Sequence, residues 1–314
     1  MENTTQIVLV VLAAYGNIDQ LRHLYFSIVV IFYIAIVVAN SVLILVICVE
    51  KPLHEPMYLF LCSLFANELY GSTAMLPFIM TQMLSDKHDV PASHCFLQIF
   101  TLYTYASVEY CNLAAMAYDR YVSICYPLHY SVIMTTRRVN MIILLVWTYS
   151  FIKFTITVPV TVSLKFCENI IDKVYCDIWL LNKLACSVST FNSISIYVVG
   201  FLTVGVPLIP ISFSYIKILS VCLKTSKETK QKAISTCTPH IASLVNFTFA
   251  CFFDILQSRF DITWIPAALR IILSMYLMIC QPLLSPIMYG LHISKIRNVC
   301  HKFLVYIMSI MPNN

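Results

Sequence analysis

Five charged residues stand where an otherwise apolar chain needs a reason for them. Glu68 and Glu109 lie deep inside long hydrophobic stretches, and Asp119 and Arg120 sit side by side at the end of one. Arg259 closes another. Two unpaired buried carboxylates are costly, so at least one of Glu68 and Glu109 is expected to be protonated or to share a cation. The alternative is a pair of neutral acids hydrogen-bonded to backbone and to Asn40 or Ser285. No nucleophile, metal cluster or phosphate loop accompanies them, so they form no acid/base pair for hydrolysis and the chain is read as not an enzyme. A charge facing lipid costs at least about 2.5 kcal/mol, so Asp119 and Arg120 must face a bundle interior or an interface. A guanidinium such as that of Arg259 can grip a carboxylate through two parallel hydrogen bonds. Its competing use is an ion pair with Asp254 or Asp261 in a solvated rim, which contributes little.

The elements that position these groups follow from composition. The chain has 314 residues, 60% hydrophobic and 11% charged. A soluble domain carries about 25% charged residues, so this composition indicates a membrane protein. The net charge of +5 is modest, and no basic, aromatic-interleaved face of the kind that reads nucleic acid is present. Seven windows are long enough to span a bilayer: Leu24–Cys48, Met57–Met83, Cys95–Cys125, Val139–Leu164, Ser193–Leu223, Ala233–Leu256 and Ile265–Tyr289. Their length and lack of period-two alternation predict helices rather than strands. The expected fold class is an all-α membrane protein, a seven-transmembrane helix bundle with a short amphipathic C-terminal helix.

Twelve of the 20 basic residues fall on one set of segments if the N-terminus is outside: Lys51, Arg120, Arg137, Arg138, Lys217, Lys224, Lys227, Lys230, Lys232, Lys295, Arg297 and Lys302. That excess marks the inner side. The glycosylation sequon at Asn3 agrees with an outside N-terminus. Ile7–Ala14 is apolar but short, with no basic residue before it, so no cleavable signal peptide is predicted. The organisation expected is an extracellular N-terminus (1–22), a seven-span bundle (23–290), and a cytoplasmic amphipathic helix and tail (291–314) against the inner leaflet lipid, where Cys300 is a candidate for acylation. Loops are short except 165–192. Four of the thirteen cysteines, Cys95, Cys167, Cys176 and Cys186, fall on the oxidising outer side, enough for two disulfides in any of three pairings.

Six motifs then carry a resemblance. They are LHEPMYLFL (53–61), MAYDRYVSICYPLHY (116–130), FCENIIDKVYCDIWLLNKLAC (166–186), SYIKI (214–218), KAISTCTPHI (232–241) and SPIMYGLHISKIRN (285–298). Together, in this order, they resemble the odorant (olfactory) receptors among the rhodopsin-like G-protein-coupled receptors, and QSRF (257–260) looks like the fish-like class I branch. The chain departs from the family pattern at Ala39-Asn40, at Glu68, where the family usually has Asp, and at Ser285-Pro286.

The resemblance implies an odorant pocket open to the outside, lined by Leu102, Tyr103, Ala106, Ser107, Val199, Gly200, Thr203, Cys251, Phe252, Ile255, Arg259, Ile271 and Met275. It implies an activation switch of Asp119, Arg120, Tyr121, Tyr215, Lys232, His240 and Tyr289 facing a stimulatory olfactory-type G protein that raises cAMP. It implies a sodium ion near Glu68 and Glu109, disulfides Cys95–Cys176 and Cys167–Cys186, residence in the plasma membrane, and room for a trafficking chaperone as a further partner. A metabolite-sensing receptor outside olfaction is the alternative. A transporter fits less well, because inverted repeats and broken-helix pairs are missing.

Overall fold

The structure, a computed structural model, describes residues 9–17, 21–162, 166–187, 189–260, 264–293 and 295–299. Its long helices are α1 (Arg22–Val49), α2 (Pro56–Leu84), α3 (Ala92–Cys125), α5 (Thr136–Val162), α9 (Lys227–Arg259) and α10 (Ala267–His292), with a short α4 (Tyr130–Ile133) before α5. A seventh rod is composite: α7 (Thr190–Gly200) runs through one wide π-type turn, Phe201–Gly205, into α8 (Val206–Cys222). The turn has a local cause. Pro207 has no N–H to give the Thr203 carbonyl four residues back, and Pro210 repeats the deficit for Val206. At 28 residues α1 is about 42 Å long at 1.5 Å per residue, more than the roughly 30 Å hydrocarbon core of a bilayer.

Among the described residues, six of the seven rods are long and apolar enough to cross a membrane by length and composition. The exception is α3, which buries Gln98, Thr101, Thr104, Ser107, Glu109, Asn112 and Asp119. It occupies the middle of the bundle, packed against α2, α5, α8 and α9, so its polar groups meet protein rather than lipid. The outer faces of the other rods are apolar and exposed, as at Ile31, Leu144, Ile156, Ile216 and Val245. That inversion of the soluble pattern suits a lipid surround.

A helix-bound reading of the sequence misses one feature. The stretch Leu9–Leu12 forms a strand, β1, between β2 (Asp89–Pro91) and β3 (Ile170–Ile171). Val10 lies antiparallel opposite Val90, and Val11 pairs in parallel with Ile170. Each strand is too short to show a period by itself; the partners come from three distant segments. The Tyr15 hydroxyl donates to the Val174 carbonyl at 2.7 Å, and Val10, Leu12 and Tyr15 are buried. The Cys95–Cys176 and Cys167–Cys186 disulfides tie the same end of the bundle, and the 165–192 loop carries a short helix, α6 (Ile178–Lys183), capped by the Asp177 carboxylate.

Proline-rich α10 is stabilised from outside itself. Pro286 leaves the Pro282 carbonyl without its helical donor, and the Asn40 amide of α1 supplies one at 2.9 Å. The predicted tail helix begins as expected: 295–299 is helical, Ile296 is buried, and Lys295 pairs with Glu55 at 2.7 Å. Residues 300–314, with Cys300, and Asn3 lie outside the described residues.

Candidate ligand cavity and switch elements

A cavity of about 90 Å³ lies between α3, α5, the α7–α8 rod and α9, beneath α6. Of the predicted pocket residues, Leu102, Tyr103 and Ala106 of α3, Val199, Gly200 and Thr203 of the composite rod, and Cys251 and Ile255 of α9 line it. Helical spacing explains both inclusion and omission. Cys251, Asp254 and Ile255 share one face, whereas Phe252, rotated by a quarter turn, is 57% exposed toward the bundle's outside. Ile271 and Met275 are buried in the core, and α10 reaches the cavity through Leu277 instead. Ser107 is buried and turned toward α5, where its hydroxyl meets Ser150 at 2.9 Å.

Tyr110, Phe154, Thr157, Ile178, Trp179, Ile196, Val204, Asp254 and Leu277 also line the cavity and were not expected. The contribution of α5 had one legible signal, Lys153, a lone charge within an apolar window. The roof, Ile178 and Trp179, had none, because it depends on how the long loop folds back.

Arg259 is not paired with Asp254, one of the partners its sequence context offered. It is absent from the cavity lining, and its guanidinium stacks over the rings of Trp179, 3.9 Å from the centroid, and Tyr197, 5.0 Å away. Asp254 is taken by another cation, Lys173 of the loop, which also donates to Ser258 at 3.2 Å and lies 3.6 Å from Asp177. Tyr175 donates to Asp254, and Tyr103 to Asp177 at 3.3 Å. Burial pushes the Lys173 ammonium toward deprotonation, but the adjacent Asp254 and Asp177 outweigh it and hold its pKa above the ordinary lysine value. Burial, then the Asp254 charge, keeps the Tyr175 phenol protonated far beyond the usual range. These bonds fasten the loop onto α9 and α3. Asp261 lies outside the described residues.

Below the cavity the two glutamates share a polar centre. Tyr105 donates to one Glu68 oxygen at 2.8 Å and Ser285 donates to the other at 3.1 Å; Asn67 and Gln281 donate to Glu109 at 2.9 and 2.8 Å. Asn40 is not a partner, being held by Ile36 and Pro282. Tyr105 reaches this centre because Gly71 of α2 has no side chain: a Cβ there would sit 2.5 Å from the Tyr105 ring. The Asn67 carbonyl oxygen is buried with no hydrogen-bond donor.

At the end of the bundle opposite the disulfides, Arg120 donates to the Asp119 carboxylate, by Nε at 3.0 Å and by a terminal nitrogen, while Tyr130 donates to its other oxygen at 2.8 Å. Tyr121 packs edge-on to Tyr126 and Phe213. His240 and Tyr289 are buried together, ring nitrogen to hydroxyl 3.4 Å. Tyr215 packs against the cluster of Ile218, Cys222, Ala233 and Cys237 that joins α8 to α9. Lys232 lies on α9, its side chain outside the described set. The residues expected to form a switch, Lys232 by its backbone alone, thus converge on the ends of α3, α8, α9 and α10 opposite the disulfides.

Comparison with known proteins agrees with this architecture. The sequence profile described as "Olfactory receptor" matches residues 29–306. Olfactory receptor 4S2 of Homo sapiens is 32% identical, covering 96% of this chain and 95% of that protein. Olfactory receptor 4B13 of Mus musculus is 33% identical over 85% and 86%, and olfactory receptor 1496 of Rattus norvegicus 29% identical over 93% and 94%. The chain belongs to the olfactory receptor family: it is a multi-pass, seven-helix G-protein-coupled receptor and not an enzyme.

Proposed function

We propose that this receptor binds a small odorant in the cavity under α6 and responds by activating a stimulatory olfactory-type G protein that raises cAMP. The observation that carries the reading is the pairing of a roofed, mostly apolar cavity at one end of the bundle with the Asp119–Arg120 cluster at the other. A mostly apolar wall with a few placed polar groups is what a small-molecule site requires. The positive-inside pattern supports a disulfide end facing outside; with the receptor in the plasma membrane, ligand would arrive at the cavity and G protein at the latch. Ligand shifts the bundle only by binding the active arrangement more tightly than the inactive one.

Arg120 bound to Asp119 fits an inactive arrangement. In the active one Arg120 leaves its neighbour as the inner end of α9 moves, and Tyr215 and Tyr289 support the opening. The centre between Glu68 and Glu109 suits a hard monovalent cation such as sodium: two carboxylates, the Ser285 hydroxyl and the unpartnered Asn67 oxygen are all oxygen donors. Such an ion would offset the two buried charges and favour the resting packing. Asn3 is the glycosylation site expected of an outside N-terminus.

The test is a cAMP assay in cells carrying the receptor and an olfactory-type stimulatory G protein, across carboxylic acids, amino acids, neutral odorants and amines. Arg120→Ala at equal surface expression is expected to abolish the response. An undiminished response in that variant overturns the latch.

A further inference from the structure

Among the described residues the buried lysines and the largely shielded Arg120 have carboxylate partners, with one exception. Lys173 has Asp254 and Asp177, and Arg120 has Asp119. Lys153 of α5, 9% exposed, has none. Its ammonium donates to the hydroxyls of Ser107, at 2.8 Å, and Thr203, at 2.9 Å, and lies 4.8 Å from the ring centroids of Tyr149 and Phe154. An ammonium has three N–H groups, and these contacts use two. Hydroxyls and ring faces soften the burial of a charge but do not neutralise it.

The position is informative. Thr203 and Phe154, two of the groups that hold Lys153, also form the wall of the ligand cavity. Thr203 lies in the π-type turn, whose wider winding sets it beside α5, and its own hydroxyl proton goes to the Val199 carbonyl at 2.7 Å. The oxygen is therefore an acceptor for Lys153 and no competitor for an incoming anion. The carboxylate on the cavity wall, Asp254, is already matched by Lys173 at the roof. Lys153 does not itself line the cavity but stands directly behind Thr203 and Phe154, so the cavity has a compensated charge on its wall, Asp254, and an uncompensated cation one side chain behind the wall.

We propose that Lys153 is the charged anchor of this cavity and that the ligand is a small monocarboxylate, its anionic group against Lys153 and its apolar body against α3 and α9. This rests on the odorant reading of the cavity and names the ligand class. It moves the carboxylate contact from Arg259, which stacks on Trp179 and Tyr197 outside the lining, to the α5 side of the cavity behind Thr203 and Phe154. In a site shielded from water an ion pair of this kind is stronger than at a surface, and it discriminates an acid from an isosteric amide or alcohol.

The experiment uses the full-length receptor in lipid nanodiscs, with thermal unfolding followed against straight-chain carboxylates and the primary amides and alcohols of the same chain length. Wild type, Lys153→Gln, Lys153→Arg and Arg259→Ala are compared. Carboxylates are expected to stabilise wild type and Arg259→Ala at lower concentration than amides or alcohols. In Lys153→Gln the carboxylate concentration needed rises about 10- to 100-fold, the loss of one charge-assisted hydrogen bond, with the neutral series unmoved. Lys153→Arg retains the preference for acids, which separates charge from packing and decides the matter if the glutamine variant does not fold. Amides or alcohols binding as well as acids to wild type, or an acid preference that survives Lys153→Gln or disappears in Arg259→Ala, overturns the anchor and leaves the odorant reading standing. Failure of all three series to bind overturns both.

Discussion

The two ends of this bundle hold their charges in opposite ways. At the disulfide end the ion pairs cross between elements: Lys173 of the loop reaches Asp254 of α9, and Asp172 of the loop meets Arg270 of α10. Two disulfides and a three-stranded sheet made from distant segments reinforce them. At the other end the cross-element pair, Lys295 with Glu55, is exposed to solvent, and the shielded pair is Arg120 with its own neighbour Asp119, shared with Tyr130 just beyond the same helix. Pairs that cross elements resist separation of those elements. A pair within one helix ties no two helices together, so the helix ends around it are free to part when it opens. The contrast suits a receptor whose binding end must keep its shape while its signalling end changes it.

The comparison breaks most clearly at Asp254. Asp254→Ala leaves Lys173 buried with only the more distant Asp177, and removal of one partner from a buried pair costs about 3–5 kcal/mol. Surface expression and ligand response should both fall sharply; wild-type levels of each would mean that the lid does not depend on this bond. The same network has a sign in pH. The pKa of Lys173 is raised on folding, so its contribution is complete below the unfolded lysine pKa, about 10.4, and lost as pH rises through the folded value. Unfolding temperature is therefore expected to be flat across neutral pH through this residue and to fall only in strong alkali.

Cys95→Ser comes next. Removing that bond frees a separation of 81 residues and should cost about 2–4 kcal/mol, read as lower thermal stability of the purified receptor. The smallest change sharpens the other end. Tyr130→Phe removes one hydrogen bond to Asp119, worth about 1 kcal/mol, from the resting arrangement. Basal cAMP is expected to rise several-fold at unchanged surface expression. An unchanged or lower basal level would show that Tyr130 does not hold the latch closed.

Much of this protein is legible in its residues, because a bilayer imposes a simple rule. Every backbone group in hydrocarbon must be satisfied within a helix, so seven long apolar windows imply seven rods without reference to one another. The Asp119–Arg120 motif, the outer cysteines and the faces of α3 and α9 follow from local spacing. The disulfide pairing was legible only through the family resemblance, since four cysteines by themselves allow three pairings.

Other features were decided by tertiary structure, since each depends on partners far apart in the chain. Leu9–Leu12 is a strand only because Val90 and Ile170 are brought beside it. Asp254 could pair with Arg259 by proximity in sequence, yet the folded loop delivers Lys173 and Arg259 turns to the Trp179 ring. Asn40 serves Pro282 rather than the glutamates, because a proline in another helix leaves a carbonyl in need. Lys153 was visible as a charge in an apolar window; that it stands without a carboxylate beside the cavity emerged only from packing α5 against α3 and the widened turn. Sequence periodicity fixes which face of a helix is apolar, while the identity of the neighbour across that face, and so the fate of each buried charge, belongs to the assembled bundle.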